Sequence, residues 1–451
     1  MTSSTVPIGG GVEKDPVIAA ALVWLGESSG DQAGFSKRLE DAQRTYRAVV
    51  ADANVRSGDP SWDSLGSDRV ASFFAQAKSL LDDRASYDFA LVSHVAPWIK
   101  QLGVNLAAIQ RIQGAQARAK RMLKAAKVHP DTAMFELVMA SNYAAEGFDV
   151  TFVEEGARRT PDLRVSFPGM DGEFFVELKR LQQGRYEVEE RKHQTDIFRC
   201  AEVFIDENKL SLDIDVMYDQ ELHDVPRDYL TRALERFKSS SIVVPGGYPW
   251  KDEFGSGTIR PANMAAVHRD TRDSYLYTGI KLARLLSGRV VSENNYHIAA
   301  HATRNTQDAR YIDRIHFGSV VTWRSAAPEA IERKAKYVRS KLAEADKQLE
   351  GHGRGVVHIA MDTEVNSEAS DLRRRRNFDV LQQFRAKSDP STVYLHYLVP
   401  RISENHSWIL DETVETFSRF DDPPPSFPAF PNAPTPDNDL PAWKQEIDPH
   451  A

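Results

Sequence analysis

Two short apolar segments joined by a glycine-rich turn constrain the fold of this chain more than any other feature. The first reads Thr160-Pro161-Asp162-Leu163-Arg164-Val165, and the second Phe174-Phe175-Val176-Glu177-Leu178-Lys179-Arg180. Pro168, Gly169, Asp171 and Gly172 lie between them, residue types that favour reversal of the chain. The pattern predicts a hairpin with strands over 162–167 and 173–179. Side chains alternate between the faces of a strand, so Phe175, Glu177 and Lys179 share one face and Phe174, Val176 and Leu178 the other. With the turn near Gly169 and Met170, Asp162 stands across from Glu177 or Leu178, with Cβ atoms about 5 Å apart.

The charges in these strands need an explanation. A carboxylate buried without a partner is costly, so Glu177 requires a cation or hydrogen-bond donors. Two carboxylates at cross-strand spacing can grip one Mg²⁺, whose oxygen ligands lie at about 2.1 Å. Such an ion would lower the pKa of a bound water and stabilise charge on a phosphate. Lys179 would orient or help deprotonate that water. The simpler alternative is a structural Glu177–Lys179 ion pair, and an Asp162 that merely starts a strand. The Glu-x-Lys spacing carries little weight by itself. It recurs at Glu190/Lys192, Glu207/Lys209 and Glu332/Lys334, all in helix-like contexts where such residues do not share a face. Only Glu177/Lys179 follows a Pro-Asp strand and a glycine-rich turn.

Elsewhere the periodicity predicts an α/β chain in several pieces. Residues 1–15 read as a disordered N-terminus and 16–128 as a helical domain, with apolar residues at three- and four-residue steps. Its last helix, expected over 105–127, carries Arg111, Arg118, Lys120, Arg121, Lys124 and Lys127 without one acid. It reads either as a solvated face or as a phosphate-contacting surface. Asp131 is the expected cap of a helix running to Glu146, ended by Gly147, and a first strand follows over 148–153. Past 182 the expected elements are a helix over 185–208, a strand over 212–218, a helix over 225–238 with Pro226 in its first turn, a loop-rich stretch to 275, a helix over 275–286 and strands over 297–301 and 315–323. A regular rhythm returns with a helix over 329–349, a strand over 355–361, a helix over 371–387 and a strand over 392–399. The tail, 421–451, holds nine of the 23 prolines and reads as disordered.

The run from Phe135 to Arg180 resembles the core of the PD-(D/E)XK, or restriction-endonuclease-like, nuclease superfamily. There a helix bearing an acid precedes three strands, the second and third of which carry the Asp and the Glu-x-Lys. Glu136 matches the helix acid, and Asp162, Glu177 and Lys179 match the rest. Residues 341–397 are similar to the later helix-strand-helix-strand part of that core. The resemblance implies an α/β fold with a restriction-endonuclease-like core (helix, three-strand meander, helix, strand, helix, strand). The core would lie in two parts, 129–182 and 328–420, around an α/β insertion at 183–327. It further implies an Mg²⁺-dependent endonuclease, with Mn²⁺ as a substitute, acting on nucleic acid, DNA foremost, in bacterial defence or DNA processing. Asp162 and Glu177 would hold the metal, with the Leu178 carbonyl as a further ligand, Glu136 in support and Lys179 activating water. The rival expectation is a binding module that uses the same fold with little turnover. A third is a regulatory partner acting through the proline-rich tail.

Other features set bounds. A net charge of −8 argues against a protein that coats nucleic acid non-specifically, but a nuclease needs only a local basic surface. Arg373, Arg374, Arg375 and Arg376 form a run at a helix start and read either as a solvated face or as backbone contacts to nucleic acid. Cys200 is the one cysteine, which suits a reducing cytoplasm and leaves no disulfide framework. The longest early apolar run, 17–25, is too short to span a bilayer, so no membrane partner is expected. Cleavage of both strands would call for two sites and hence a homodimer, for which no motif argues. Asp213 and Asp215 share a strand face and read as solvent-facing. His297 and His301 read as strand residues rather than metal ligands. Trp98, Trp250 and Trp323 read as packing residues.

Overall fold

In a computed structural model of the chain, the hairpin lies next to one edge strand of a seven-stranded mixed sheet. The structure describes residues 2–8, 14–52, 65–82, 87, 89–154, 156, 159–168, 172–181, 185–240, 246–270, 279–289, 291, 295–304, 312–363, 368–402, 408–418, 427–431 and 441–444. Three strands, β2 (Asp149–Phe152), β3 (Leu163–Ser166) and β4 (Glu173–Leu181), form an antiparallel meander. Strand β10 (Arg354–Asp362) adds to β4 in parallel, and β11 (Asp389–Ile402) adds to β10 in parallel. The antiparallel β12 (Trp408–Ser418) and β1 (Thr2–Ile8) complete the order β1-β12-β11-β10-β4-β3-β2. Sequence periodicity showed neither β1 nor β12. The expected loose N-terminus at 1–15 is corrected for 2–8, which pair with β12.

Helices cover both faces. The long α13 (Pro328–Leu349) buries Val338, Leu342, Ala345 and Leu349 against Val357, Ile359 and Leu395. On the other face lies α8 (Asp131–Ala145), whose residues from Met134 to Tyr143 are all buried. A helix buried all round is one covered on all sides. Here the sheet covers one side and α5 (Ala96–Val104), α6 (Leu106–Ile109) and α7 (Ala115–Lys124) cover the other, with α1 (Pro16–Ser28) and α3 (Arg69–Asp82) packed outside them in the same core. Among the described residues, apolar side chains of these N-terminal helices share one hydrophobic cluster with the sheet. Asp131 does not cap α8. Its carboxylate takes His129 Nδ1 at 2.9 Å.

The basic helix expected over 105–127 is broken into α6 (Leu106–Ile109) and α7 (Ala115–Lys124). At the break Gln113 bridges to Thr151, and Gly114 has φ +89°. A Cβ on Gly114 would lie 2.8 Å from Phe152 Cβ, so only glycine lets α7 start this close to β2.

Residues between β4 and β10 build a second sheet, order β6-β7-β5-β9-β8, from β5 (Leu212–Tyr218), β6 (Tyr248–Lys251), β7 (Gly255–Pro261), β8 (Tyr296–Arg304) and β9 (Ile312–Ser325). The helices α9 (Arg185–Asn208) and α10 (Tyr229–Ser239) pack on one another beside it. Pro226 precedes α10 rather than opening it. The stretch expected to be loop-rich holds β6, β7 and the short helix α11 (Met264–Asp270). The helix expected over 275–286 is α12 (Gly279–Ser287); residues 271–278 lie outside the described ones. Near the C-terminus, Ala429, Phe430 and Trp443 are fully buried. The disorder expected for 421–451 therefore does not hold for 427–431 and 441–444; the remainder lies outside the described residues. The chain is thus a mixed α/β protein with two mixed sheets, and no helix among the described residues is long and apolar enough to cross a membrane.

Candidate active site

Strand register decides which charges meet. Leu163 pairs with Val176, so Asp162, one residue before β3, stands across from Glu177. The backbone of Asp162 is pinned from both sides: its N–H donates to the Val176 carbonyl at 3.1 Å, and its carbonyl accepts from Val153 N at 3.0 Å. Its Oδ2 accepts from Leu178 N at 2.8 Å. Because β3 starts only at Leu163, that N–H has no strand partner on this side, and the Asp162 carboxylate takes the place of one.

Glu177 is 0% exposed. Its Oε1 accepts from Lys179 Nζ, whereas its Oε2 has no hydrogen-bond partner among the described residues. Lys179 Nζ also donates to Gln348 Oε1 at 2.7 Å, and Gln348 Nε2 donates to the Thr160 carbonyl at 3.1 Å. Gln348, near the end of α13, thus ties the lysine to the loop that delivers Asp162. Glu136, on α8 and 3% exposed, is gripped by Arg118 of α7: Nη2 donates to Oε1 at 2.5 Å and also contacts Oε2.

Glu136, Asp162, Thr160 and Gln348 line one cleft of about 620 Å³, together with Arg118, Arg121, Arg159 and Gly114. It opens where β3 begins, so α8 and α7 from one layer and α13 from the other all reach it. Glu177 and Lys179 are not part of its wall and sit behind Asp162 and Gln348. Among the described residues, no three Asp, Glu, His or Cys side chains stand close enough to hold an ion as arranged. Glu136 is turned to Arg118, and Glu177 to Lys179.

Burial, reinforced by the Asp162 charge, pushes Glu136 up to about 7 against the opposing pull of Arg118. The same two causes push Glu177 up to about 9 despite Lys179. Both groups keep protons in the folded chain that the unfolded chain releases above the usual 4.5. Without a bound cation, stability therefore falls as pH rises from about 4.5 to about 9, by an amount on the order of a few kcal/mol. Glu177→Gln removes the larger part of this slope. Urea denaturation in chelator at pH 5, 7 and 9 measures it, and an unchanged slope in the variant contradicts the assignment.

The remaining candidates divide. On α7, Arg118 and Arg121 face the cleft, whereas Lys120 reaches back over Gly30. Arg111, Lys120, Arg121 and Lys124 are exposed. Arg118 is engaged by Glu136 and is not a free surface cation. In α14 (Glu368–Gln383), Arg373 binds Glu187 at 3.3 Å and Arg374 binds Glu415, so these two serve internal pairs. Arg376 is half-buried and Arg375 exposed. Asp213 is 3% exposed, which corrects its solvent-facing reading; Arg289 bonds it at 2.8 Å and lies 3.5 Å from Asp215. His297 and His301 do lie on a strand, β8. His297 stacks on Phe198, and burial pushes it down to about 4. Trp98, Trp250 and Trp323 are buried packing residues.

Sequence reasoning missed Gln348, Arg159 and the pairing of Arg118. The first lies 169 residues from Lys179, and no local pattern marks it. No protein-family model matches the chain, and no curated protein is significantly similar to it.

Proposed function

We propose that this chain is a divalent-cation-dependent endonuclease that hydrolyses phosphodiester bonds in nucleic acid, DNA foremost. One observation carries the reading: Asp162 stands opposite a fully buried Glu177, which has one oxygen without a hydrogen-bond partner among the described residues and Lys179 two residues on. The sequence of elements α8, β2-β3-β4, α13, β10, α14, β11 supports it, since that is the order of a restriction-endonuclease-like core.

The donor set fits Mg²⁺ or Mn²⁺, hard cations that prefer carboxylate oxygens. The orphan Glu177 oxygen and the Asp162 carboxylate would hold the ion, with Glu136 as the third carboxylate. A cation there supplies Lewis acidity, easing deprotonation of a water and offsetting charge on the phosphate. Lys179, steadied by Glu177 and Gln348, orients the attacking water and adds positive charge where the phosphorane oxygens become more negative. Leu178 N–H fixes the Asp162 carboxylate. Arg121 and Arg159 on the cleft wall give the phosphate backbone a cationic path.

The purified chain with Mn²⁺ or Mg²⁺ is expected to cut supercoiled plasmid, linear duplex, single-stranded DNA or RNA, and chelator is expected to stop it. Asp162→Asn lowers the rate by a factor on the order of 10² or more. No cleavage of any of these substrates, or equal activity in the variant, rules the reading out. Cation-dependent thermal stabilisation without cleavage would favour the binding-module alternative.

A further inference from the structure

The cleft holds one contact at odds with a ready nuclease site. Glu136 is ion-paired with Arg118, a cleft-lining residue of a different helix: Oε1 accepts a hydrogen bond from Nη2, and Oε2 lies against the same nitrogen without a hydrogen bond. A divalent cation approaching Glu136 meets the guanidinium charge beside both oxygens, so the two cations compete for this carboxylate. They also repel each other at this distance. The arrangement is consistent with the absence of three converging ligand side chains among the described residues. Arg118 has another anion within its range whenever the cleft is filled. It lies one turn from Arg121 on the helix face that lines the cleft, and its side chain is 20% exposed.

We infer that Arg118 couples cation loading to nucleic-acid binding: a phosphodiester entering the cleft draws the guanidinium off Glu136 and frees that carboxylate for the cation. This inference rests on the nuclease reading of the site. Arg118 acts as a positioning residue, since its effect on chemistry runs through Glu136. Without nucleic acid the third carboxylate stays locked to its own protein, and the site holds the cation weakly. With nucleic acid, Arg118 exchanges a carboxylate for a phosphate, its fork suiting either. Placement favours the exchange. Ala115, Ala119, Met122 and Leu123 anchor α7 in the core, so only the side chain has to move. Linkage makes the coupling reciprocal, so the cation tightens nucleic-acid binding by the same factor.

The test uses the full chain, Mn²⁺ titrated by electron paramagnetic resonance, and a phosphorothioate duplex that resists cleavage. In the wild type the duplex is expected to raise Mn²⁺ affinity about tenfold, within the usual span of such couplings. Fluorescence anisotropy should show Mn²⁺ raising duplex affinity by the same factor. In Arg118→Met, which keeps the apolar stem and loses the charge, Mn²⁺ binds tightly without duplex and the coupling falls below about twofold. Glu136→Gln removes the coupling from the other partner and leaves Arg118 in place, which guards against a folding defect in Arg118→Met. Equal coupling in wild type and both variants overturns the gate alone. Absence of any Mn²⁺ site sensitive to Asp162→Asn, with or without duplex, overturns the nuclease reading and the gate with it.

Discussion

Lys179→Ala is expected to lower phosphodiester cleavage by about 10²–10⁴-fold while leaving the chain folded. The size follows from what the ammonium touches. Lys179 Nζ is shared by Glu177 Oε1 and Gln348 Oε1, so it is held at a fixed place behind the cleft rather than sweeping through solvent. Water oriented by such a group gains from position as well as charge, and both are lost together. Folding should survive, because Glu177 left alone can keep its proton: burial and Asp162 already push it up to about 9. Lys179→Arg should rescue little, since a planar fork does not replace a compact point charge. Gln348→Ala should cost less, since Glu177 still holds the lysine. Single-turnover cleavage at saturating Mn²⁺ gives the chemical step directly. A loss under about threefold in Lys179→Ala would remove the lysine from the chemistry.

What the sequence displayed was local. Alternation in 162–167 and 173–179 and the glycine-rich turn narrowed the residue opposite Asp162 to Glu177 or Leu178, because side-chain facing in a hairpin follows from counting residues; the register, with Leu163 on Val176, makes it Glu177. The same held for α9, β5 and α13, whose bounds the periodicity met within a residue. What stayed hidden was everything set by how layers meet. Arg118 and Glu136 pair because Gly114 breaks the basic helix and turns one face to the cleft. Asp213 reads as a surface acid until Arg289, 76 residues away, is packed on it. Proline-rich composition masked Phe430 and Trp443, which bury because the sheet and helices leave sockets for them. The mostly apolar run of α8 from Met134 to Tyr143, interrupted only by Glu136, Ser141 and Asn142, was the visible sign that this helix is covered on all sides.

Glu412→Ala is expected to destabilise the chain by about 3–5 kcal/mol, the usual cost of stranding buried polar partners. Glu412 lies on β12, fully buried, and its Oε1 accepts from His396 Nδ1 at 2.6 Å and from Ala429 N at 3.0 Å. Its Oε2 accepts from Phe430 N at 3.0 Å. The bonds continue through His396 Nε2 to His358 Nδ1 at 2.8 Å and from His358 Nε2 to Tyr143 OH at 2.8 Å. A consistent set of donors runs from Tyr143 to Glu412 with both imidazoles neutral: Tyr143 donates to His358, His358 to His396, and His396 to the carboxylate. Burial keeps His358 well below its usual range, in line with a neutral ring. Alanine leaves three donors in a dry interior without an acceptor, whereas Glu412→Gln keeps one oxygen and should lose about half as much. The damage should not stay local. Asn142 and Tyr143 at the end of α8 hold the same segment, through Asn142 Nδ2 to the Ala429 carbonyl at 2.9 Å and Tyr143 stacked on Phe427 at 4.2 Å. That helix carries Glu136 two turns earlier, so loosening 427–431 loosens the wall of the cleft. Urea denaturation gives the stability loss, and hydrogen exchange should show the Ala429 and Phe430 amides losing protection in Glu412→Ala. Unchanged protection there would mean that the buried chain does not hold the C-terminal segment, and α8 would then owe its position to apolar packing alone.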